Sequence, residues 1–175
     1  MKLHAVVLAS VLSVQPAAIV IHAFTAGLDG VGAASAVRLS VDRDASIGGP
    51  ALTIDYPAPT GDPAGRDVRC AAQNQNWSPG KAIEFQARPD HPLRMSLSFI
   101  DRNGVVYTAW SDLKGGEWQT VRIPFVEIRP NPYFQPPGAK TGAPMDVSDV
   151  KFVAFAPQDT SAGRLQIGPL VVSMQ

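Results

Sequence analysis

The chain is poor in the residues that most often do chemistry. Cysteine occurs once in 175 residues, at Cys70. No disulfide can close within the chain, and no Cys/His cluster exists to hold zinc. Cys70 lies beside Ala71 and Ala72, which reads as a buried, inert thiol. Outside the first 26 residues the only histidine is His91. It sits in Arg88-Pro89-Asp90-His91-Pro92, a turn in which the ring is expected to be solvated. No Gly-x-Ser-x-Gly elbow accompanies it, so nucleophilic catalysis has no partner residues. Glutamate appears only as Glu84, Glu117 and Glu127, and most aspartates fall in turn clusters such as Asp42/Asp44, Asp101 and Asp146/Asp149. A glycosidase needs two carboxylates flanking one bond, and no such pair stands out. A charge excess is also missing: Lys plus Arg total 15, and so do Asp plus Glu. Nucleic acid and anionic membrane surfaces both favour a basic excess, so neither is expected as a partner. No helix-period run, internal repeat or second domain is evident.

Turn formers are abundant. Sixteen prolines and 15 glycines punctuate a chain that is 45% hydrophobic, which points to an all-β domain. Lys2 followed by the apolar run from Ala5 to Val14, ended by Gln15-Pro16, reads as an export signal. The run is too short to span a bilayer. The division expected is a signal peptide and cleavage region over 1–26, with an uncleaved anchor as the other reading. A flexible linker follows over 27–35, then a β-sandwich over 36–175. Ala17, Ala18, Thr25 and Ala26 are candidate cleavage points. The mature protein is therefore expected outside the cytoplasm, secreted or periplasmic, and not inserted in a membrane.

Period-two alternation marks the strands. In the run 93–100, Leu93, Met95, Leu97 and Phe99 alternate with Arg94, Ser96 and Ser98. Asp101-Arg102-Asn103-Gly104 turns into a strand ending at Trp110. In Gly116-Glu117-Trp118-Gln119-Thr120-Val121-Arg122-Ile123-Pro124-Phe125, the residues Val121, Ile123 and Phe125 share one face. Six further runs, at 36–42, 51–56, 67–72, 82–88, 150–156 and 165–172, bring the expected total to roughly nine. Ile83, Phe85 and Leu165 join these apolar positions as expected core.

The segments LRMSLSFIDRNGVVYTAW, GEWQTVRIPF and DVKFVAFAP resemble the galactose-binding-like jelly rolls. Within that group they are most similar to family-eleven carbohydrate-binding modules and the complex I intermediate-associated protein domain. The resemblance runs from about Val37 to Val172 and implies an all-β sandwich. It also implies a structural role for Trp118 and, in some relatives, one structural calcium near the chain ends of the sandwich. Asp42, Asp44, Asp146 and Asp149 are the carboxylates available for such an ion, although their spacing matches no calcium loop. Otherwise no cofactor is expected.

The polar strand faces carry the functional expectation. If neighbouring strands align, one sheet face holds Glu84, Gln86, Arg94, Trp110, Trp118 and Arg122. Aromatic platforms stack on sugar rings, and planar polar side chains hydrogen-bond hydroxyl pairs. The Pro-rich segment Asn131-Pro132-Tyr133-Phe134-Gln135-Pro136-Pro137 offers Tyr133 as a rim. The reading is a non-catalytic module that binds a poly- or oligosaccharide through Glu84, Gln86, Arg94, Trp110, Arg122 and Tyr133. A protein-interaction or assembly domain, with another protein as partner, is the alternative. A small glycan-active hydrolase or lyase comes third.

Overall fold

Alternation in these runs becomes two antiparallel sheets packed face to face. The structure, a computed structural model, describes residues 18–59, 61 and 63–175. The expected signal segment up to residue 17 lies outside the described residues. The strands are β1 (Ile19–His22), β2 (Val31–Ala33), β3 (Arg38–Asp44), β4 (Gly49–Tyr56), β5 (Val68–Gln75), β6 (Ala82–Pro89) and β7 (Leu93–Ile100). They continue as β8 (Val106–Leu113), β9 (Gln119–Pro124), β10 (Arg129–Pro130), β11 (Val150–Pro157), β12 (Gly163–Ile167) and β13 (Leu170–Ser173). Among the described residues the only helical pieces are two 3-10 turns, at Pro63–Arg66 and Phe125–Glu127. No helix among them is long and apolar enough to cross a membrane.

One sheet has seven strands in the order β1-β13-β6-β12-β4-β3, with β9 on the other edge of β6. The second has six, in the order β10-β8-β7-β11-β5-β2. Ile83, Phe85 and Ala87 of β6 face Leu97, Phe99 and Phe155 of the second sheet within one buried core. Phe85 meets Phe155 edge to face, with ring centres 5.5 Å apart. Each of the large apolar side chains among them is worth roughly 1.5–3 kcal/mol of transfer free energy when fully buried. Val121, Ile123, Leu93, Met95 and Leu165 are buried as expected, while Phe125 is only half-buried and stacks on Trp77.

Thirteen strands appear among the described residues where roughly nine were expected. The expected final run is broken at Gly168-Pro169, because proline has no N–H to donate. Gly168 instead donates its N–H to the Gln86 carbonyl at 2.8 Å, and β12 and β13 pair end to end along β6. The expected linker is not free: β2 pairs with β5, and Gly30 accepts from the Ala71 N–H at 2.8 Å. Part of the expected cleavage region is also built in. β1 pairs with β13, and Ile21 and Phe24 are buried. Trp77 is a fully buried core residue as well.

Candidate functional site

The outer face of the six-stranded sheet has a floor of small residues. β7 alternates Ser96 and Ser98 with its core residues, β11 alternates Ala154 and Ala156, and β8 contributes Thr108. The register places Thr108, Ser98, Ala154 and Arg69 in one row across four strands. A neighbouring row holds Trp110, Ser96 and Ala156, and another holds Val106, Ile100 and Phe152. Small side chains between bulky ones leave a trough across the sheet, a groove of about 700 Å³. That lies within the range of small-molecule sites, about 300–1,000 Å³. Two of the floor hydroxyls are turned onto the protein itself. Thr108 donates to the Leu97 carbonyl at 2.9 Å, and Ser96 Oγ lies 3.3 Å from the Ala156 carbonyl. The surface this leaves to a ligand is therefore largely apolar.

The rim at the β8 edge is the Pro-rich segment, and its shape is fixed by two side chains. Asn131 Oδ1 accepts the backbone N–H of Tyr133 at 2.8 Å and of Phe134 at 3.2 Å. Gln135 pairs with the backbone of Val106: its Nε2 donates to the carbonyl at 2.6 Å, and its Oε1 accepts the N–H at 3.1 Å. Tyr133 and Phe134 are thereby held outward, 84% and 63% exposed, and Trp110 is 41% exposed on the sheet. Three exposed aromatics around one groove form a stacking surface whose ordering cost is already met by the fold.

The expected single face does not exist. The turn between β6 and β7 carries the chain from one sheet to the other, so Glu84 and Gln86 lie on the opposite side of the molecule from Arg94, Trp110 and Tyr133. Arg122, on β9, stays with Glu84 and forms an ion pair with it at 3.1 Å. It also donates to Ser173 Oγ at 2.9 Å. Glu84 and Gln86 line a shallow depression of only about 180 Å³. Trp118 is on that side too, where its indole N–H donates to Asp44 at 3.2 Å and Arg88 covers its ring at 4.8 Å. Sequence reasoning missed Arg69, Phe152 and Gln158, which line the groove. Phe152 was legible as the outward residue of the 150–156 strand; the pairing of β11 with β5 and β7 was not.

The four aspartates considered for calcium do not converge. Asp42 accepts from Ser40 and Thr53, Asp44 from Arg88, Ser46 and Trp118, and Asp146 from Ser148. Asp149 Oδ1 is buried without a hydrogen-bond partner, yet among the described residues no three His, Cys, Asp or Glu side chains gather as a metal site. These four carboxylates therefore do not form a common site.

His91 is not a solvated turn residue. Its Nδ1 lies 2.6 Å from Asp90 and its Nε2 lies 2.6 Å from Asp159. Asp159 also accepts from Arg66 at 2.8 Å, and Ser161 Oγ is 3.2 Å from the same imidazole nitrogen. The Asp159 hydrogen bond, assisted by Asp90, raises the His91 pKa against a smaller opposing effect of burial. With carboxylates on both nitrogens the ring favours its cationic form and is a poor general base. Burial pushes the Cys70 thiol up to about 12, which leaves it inert at neutral pH.

No protein-family model matches the chain, and no curated protein matches it significantly in sequence. Solved structures do match it in shape. The family 11 carbohydrate-binding module of the cellulosomal cellulase Lic26A-Cel5E of Clostridium thermocellum superposes with a TM-score of 0.67 at 17% identity, over 90% of this chain and 95% of that one. The fold is a galactose-binding-like jelly roll. The family 11 module from Clostridium thermocellum in complex with a β-1,3-1,4-mixed-linked tetrasaccharide gives a TM-score of 0.62 at 17% identity, over 82% of this chain and 88% of that one. The family 30 module of the Clostridium thermocellum cellulase Cel9D-Cel44B gives 0.59 at 13% identity, over 91% and 94%. The jelly roll is thus shared almost from end to end.

Proposed function

We propose that this jelly roll binds carbohydrate without cleaving it, in the groove across β5, β11, β7 and β8. The observation that carries the reading is the aromatic rim of Trp110, Tyr133 and Phe134 above a floor of small residues. Sugar rings present C–H-rich faces that stack on such aromatics. At about 4.8 Å per strand, the trough is about 14 Å long from β8 to β5, room for a short run of sugar units. That solved modules with this fold include one in complex with a tetrasaccharide supports the reading. Among the described residues lining the groove the only carboxylate is Asp67, whereas hydrolysis by acid and base needs two. Export, expected from the leader read in the sequence, is part of the same proposal.

Affinity electrophoresis against a panel of soluble polysaccharides tests this. Trp110→Ala is expected to weaken retardation several-fold to about tenfold, the equivalent of losing one aromatic contact. Tyr133→Ala acts in the same direction. Trp118→Ala is expected to lower the melting temperature more than Trp110→Ala and to leave affinity unchanged. Loss of affinity in the Trp118 variant alone, with both groove variants unaffected, would move the site to the other sheet. Binding to a protein but to no polysaccharide would favour the assembly-domain reading.

A further inference from the structure

Among the described residues four arginines lie over aromatic rings, and they divide into two kinds. Arg66, over Tyr56, and Arg88, over Trp118, are each tied to a carboxylate at 2.8 Å. Arg69, over Phe152 at 5.4 Å, and Arg94, over Trp110 at 5.1 Å, are not. Their carboxylate neighbours, Asp67 and Asp112, stand at 3.9 and 3.8 Å, the outer limit of an ion pair, and the Arg69 and Arg94 side chains are 60% and 61% exposed. Both belong to the groove face. Arg69 lines the groove beside Phe152, and Arg94 backs Trp110 at its end. From the register, Arg69 lies two strands over and four residues along from Arg94, about 16 Å away. Ring contact orients each guanidinium while its N–H edge keeps donors for a ligand.

Resting on the groove reading, we propose that the ligand is an acidic polysaccharide whose anionic groups, carboxylate or sulfate, are held by Arg69 and Arg94 while its rings stack on Trp110 and Tyr133. Guanidinium presents a planar fork that matches both oxyanions. A zero net charge does not oppose this, because the selectivity is local. Asp67 and Asp112 screen part of the field. They also shape the preference: the chain must place its anions at the arginine edges, not anywhere along the groove.

The test compares neutral and anionic forms of three backbones by affinity electrophoresis. The pairs are hydroxyethyl and carboxymethyl cellulose, dextran and dextran sulfate, and methyl-esterified and de-esterified polygalacturonate. Retardation by an anionic member is expected to exceed that of its neutral counterpart by about tenfold, and to fall with added salt. The Arg69→Gln/Arg94→Gln variant is expected to lose that excess, so that the anionic and neutral members of each pair are retarded alike. The carboxylated and sulfated arms identify which anion is read. Equal binding of neutral and anionic partners overturns this inference but leaves the groove reading standing. No binding to any member overturns both. An Arg38→Gln/Arg43→Gln variant, altered on the opposite sheet, checks for non-specific attraction: a loss equal to that of the groove variant would also overturn the inference.

Discussion

At the scale of single residues, the end of the sandwich beside the groove is closed by a charged clamp. Asp159, one residue beyond groove-lining Gln158, is gripped by Arg66 and His91, which come from different parts of the chain. Burial alone would raise the Asp159 pKa, but hydrogen bonds from His91, Ser161 and Arg66 outweigh it and hold the carboxyl below its usual value. The two shifts act on opposite sides of a pH window. His91, with a raised folded-state pKa, stabilises fully below its unfolded value of about 6.5 and loses that contribution as pH rises through the folded value. Asp159 stabilises above its unfolded value of about 4 and loses its contribution as pH falls. The melting temperature is therefore expected to peak between about pH 5 and 6 and to decline through neutrality. His91→Asn should flatten the alkaline side of the calorimetric profile; an unchanged slope would show that the clamp contributes nothing. Space around the clamp is tight as well. A Cβ on Gly163 would come within 2.5 Å of both the His91 ring and the Tyr56 hydroxyl, so Gly163→Ala is expected to lower stability at every pH.

Among elements, β1 makes the clearest prediction. It completes the edge beside β13, Gln75 donates its side-chain amide to the Val20 carbonyl at 3.0 Å, and Ile21 and Phe24 enter the core. If a leader is removed, the cut belongs before Ile19, at Ala17 or Ala18, and not at Thr25 or Ala26. N-terminal sequencing of exported protein checks this. Truncation of residues 1–26 should cost at least as much as Phe24→Ala, about 3–5 kcal/mol. Strands of this kind show what the sequence could tell. Alternation in 93–100 and 82–88 reported correctly which residues face inward, because the pleat enforces a period of two. It could not report which sheet a strand joins. The short turn Asp90-His91-Pro92 looks like a hairpin connection, yet β6 and β7 belong to different sheets. Proline at both ends of that turn stops the ladder, and Gly116 donates to the Pro89 carbonyl at 2.7 Å, which locks the crossing. Alignment of the polar faces was therefore illegible, and with it the composition of the site. Trp110 and Tyr133 were legible as exposed aromatics, since both follow from a strand phase and a Pro-rich loop.

For the whole molecule, the two outer faces are expected to work independently. The face bearing Glu84, Arg88, Arg122 and Trp118 is laced by its own ion pairs, including Arg164 on Asp55 at 2.7 Å. Glu84→Gln and Arg122→Gln should leave glycan affinity within about twofold of the unaltered protein, since these exposed pairs contribute little beyond their own face. Calorimetric titration with a polysaccharide retarded in electrophoresis measures it. No reducing ends should accumulate when the protein is incubated with that ligand. Release that scales with protein amount and vanishes on Asp67→Asn would show that the groove cleaves.

The grip of Gln135 on Val106 has a consequence for solubility. Long unpaired strand edges invite other chains to add on, and β8 is a long strand. Beyond it β10 offers only two residues, and the Gln135 amide occupies the N–H and C=O of Val106 that a visiting strand would use. At the other side of the same sheet β2 is three residues long and contains Gly32, a poor template for addition. The Pro-rich rim thus also acts as a stopper against fibre growth. Replacing residues 132–143 with a short Gly/Ser linker should produce concentration-dependent light scattering even while the sandwich core stays folded.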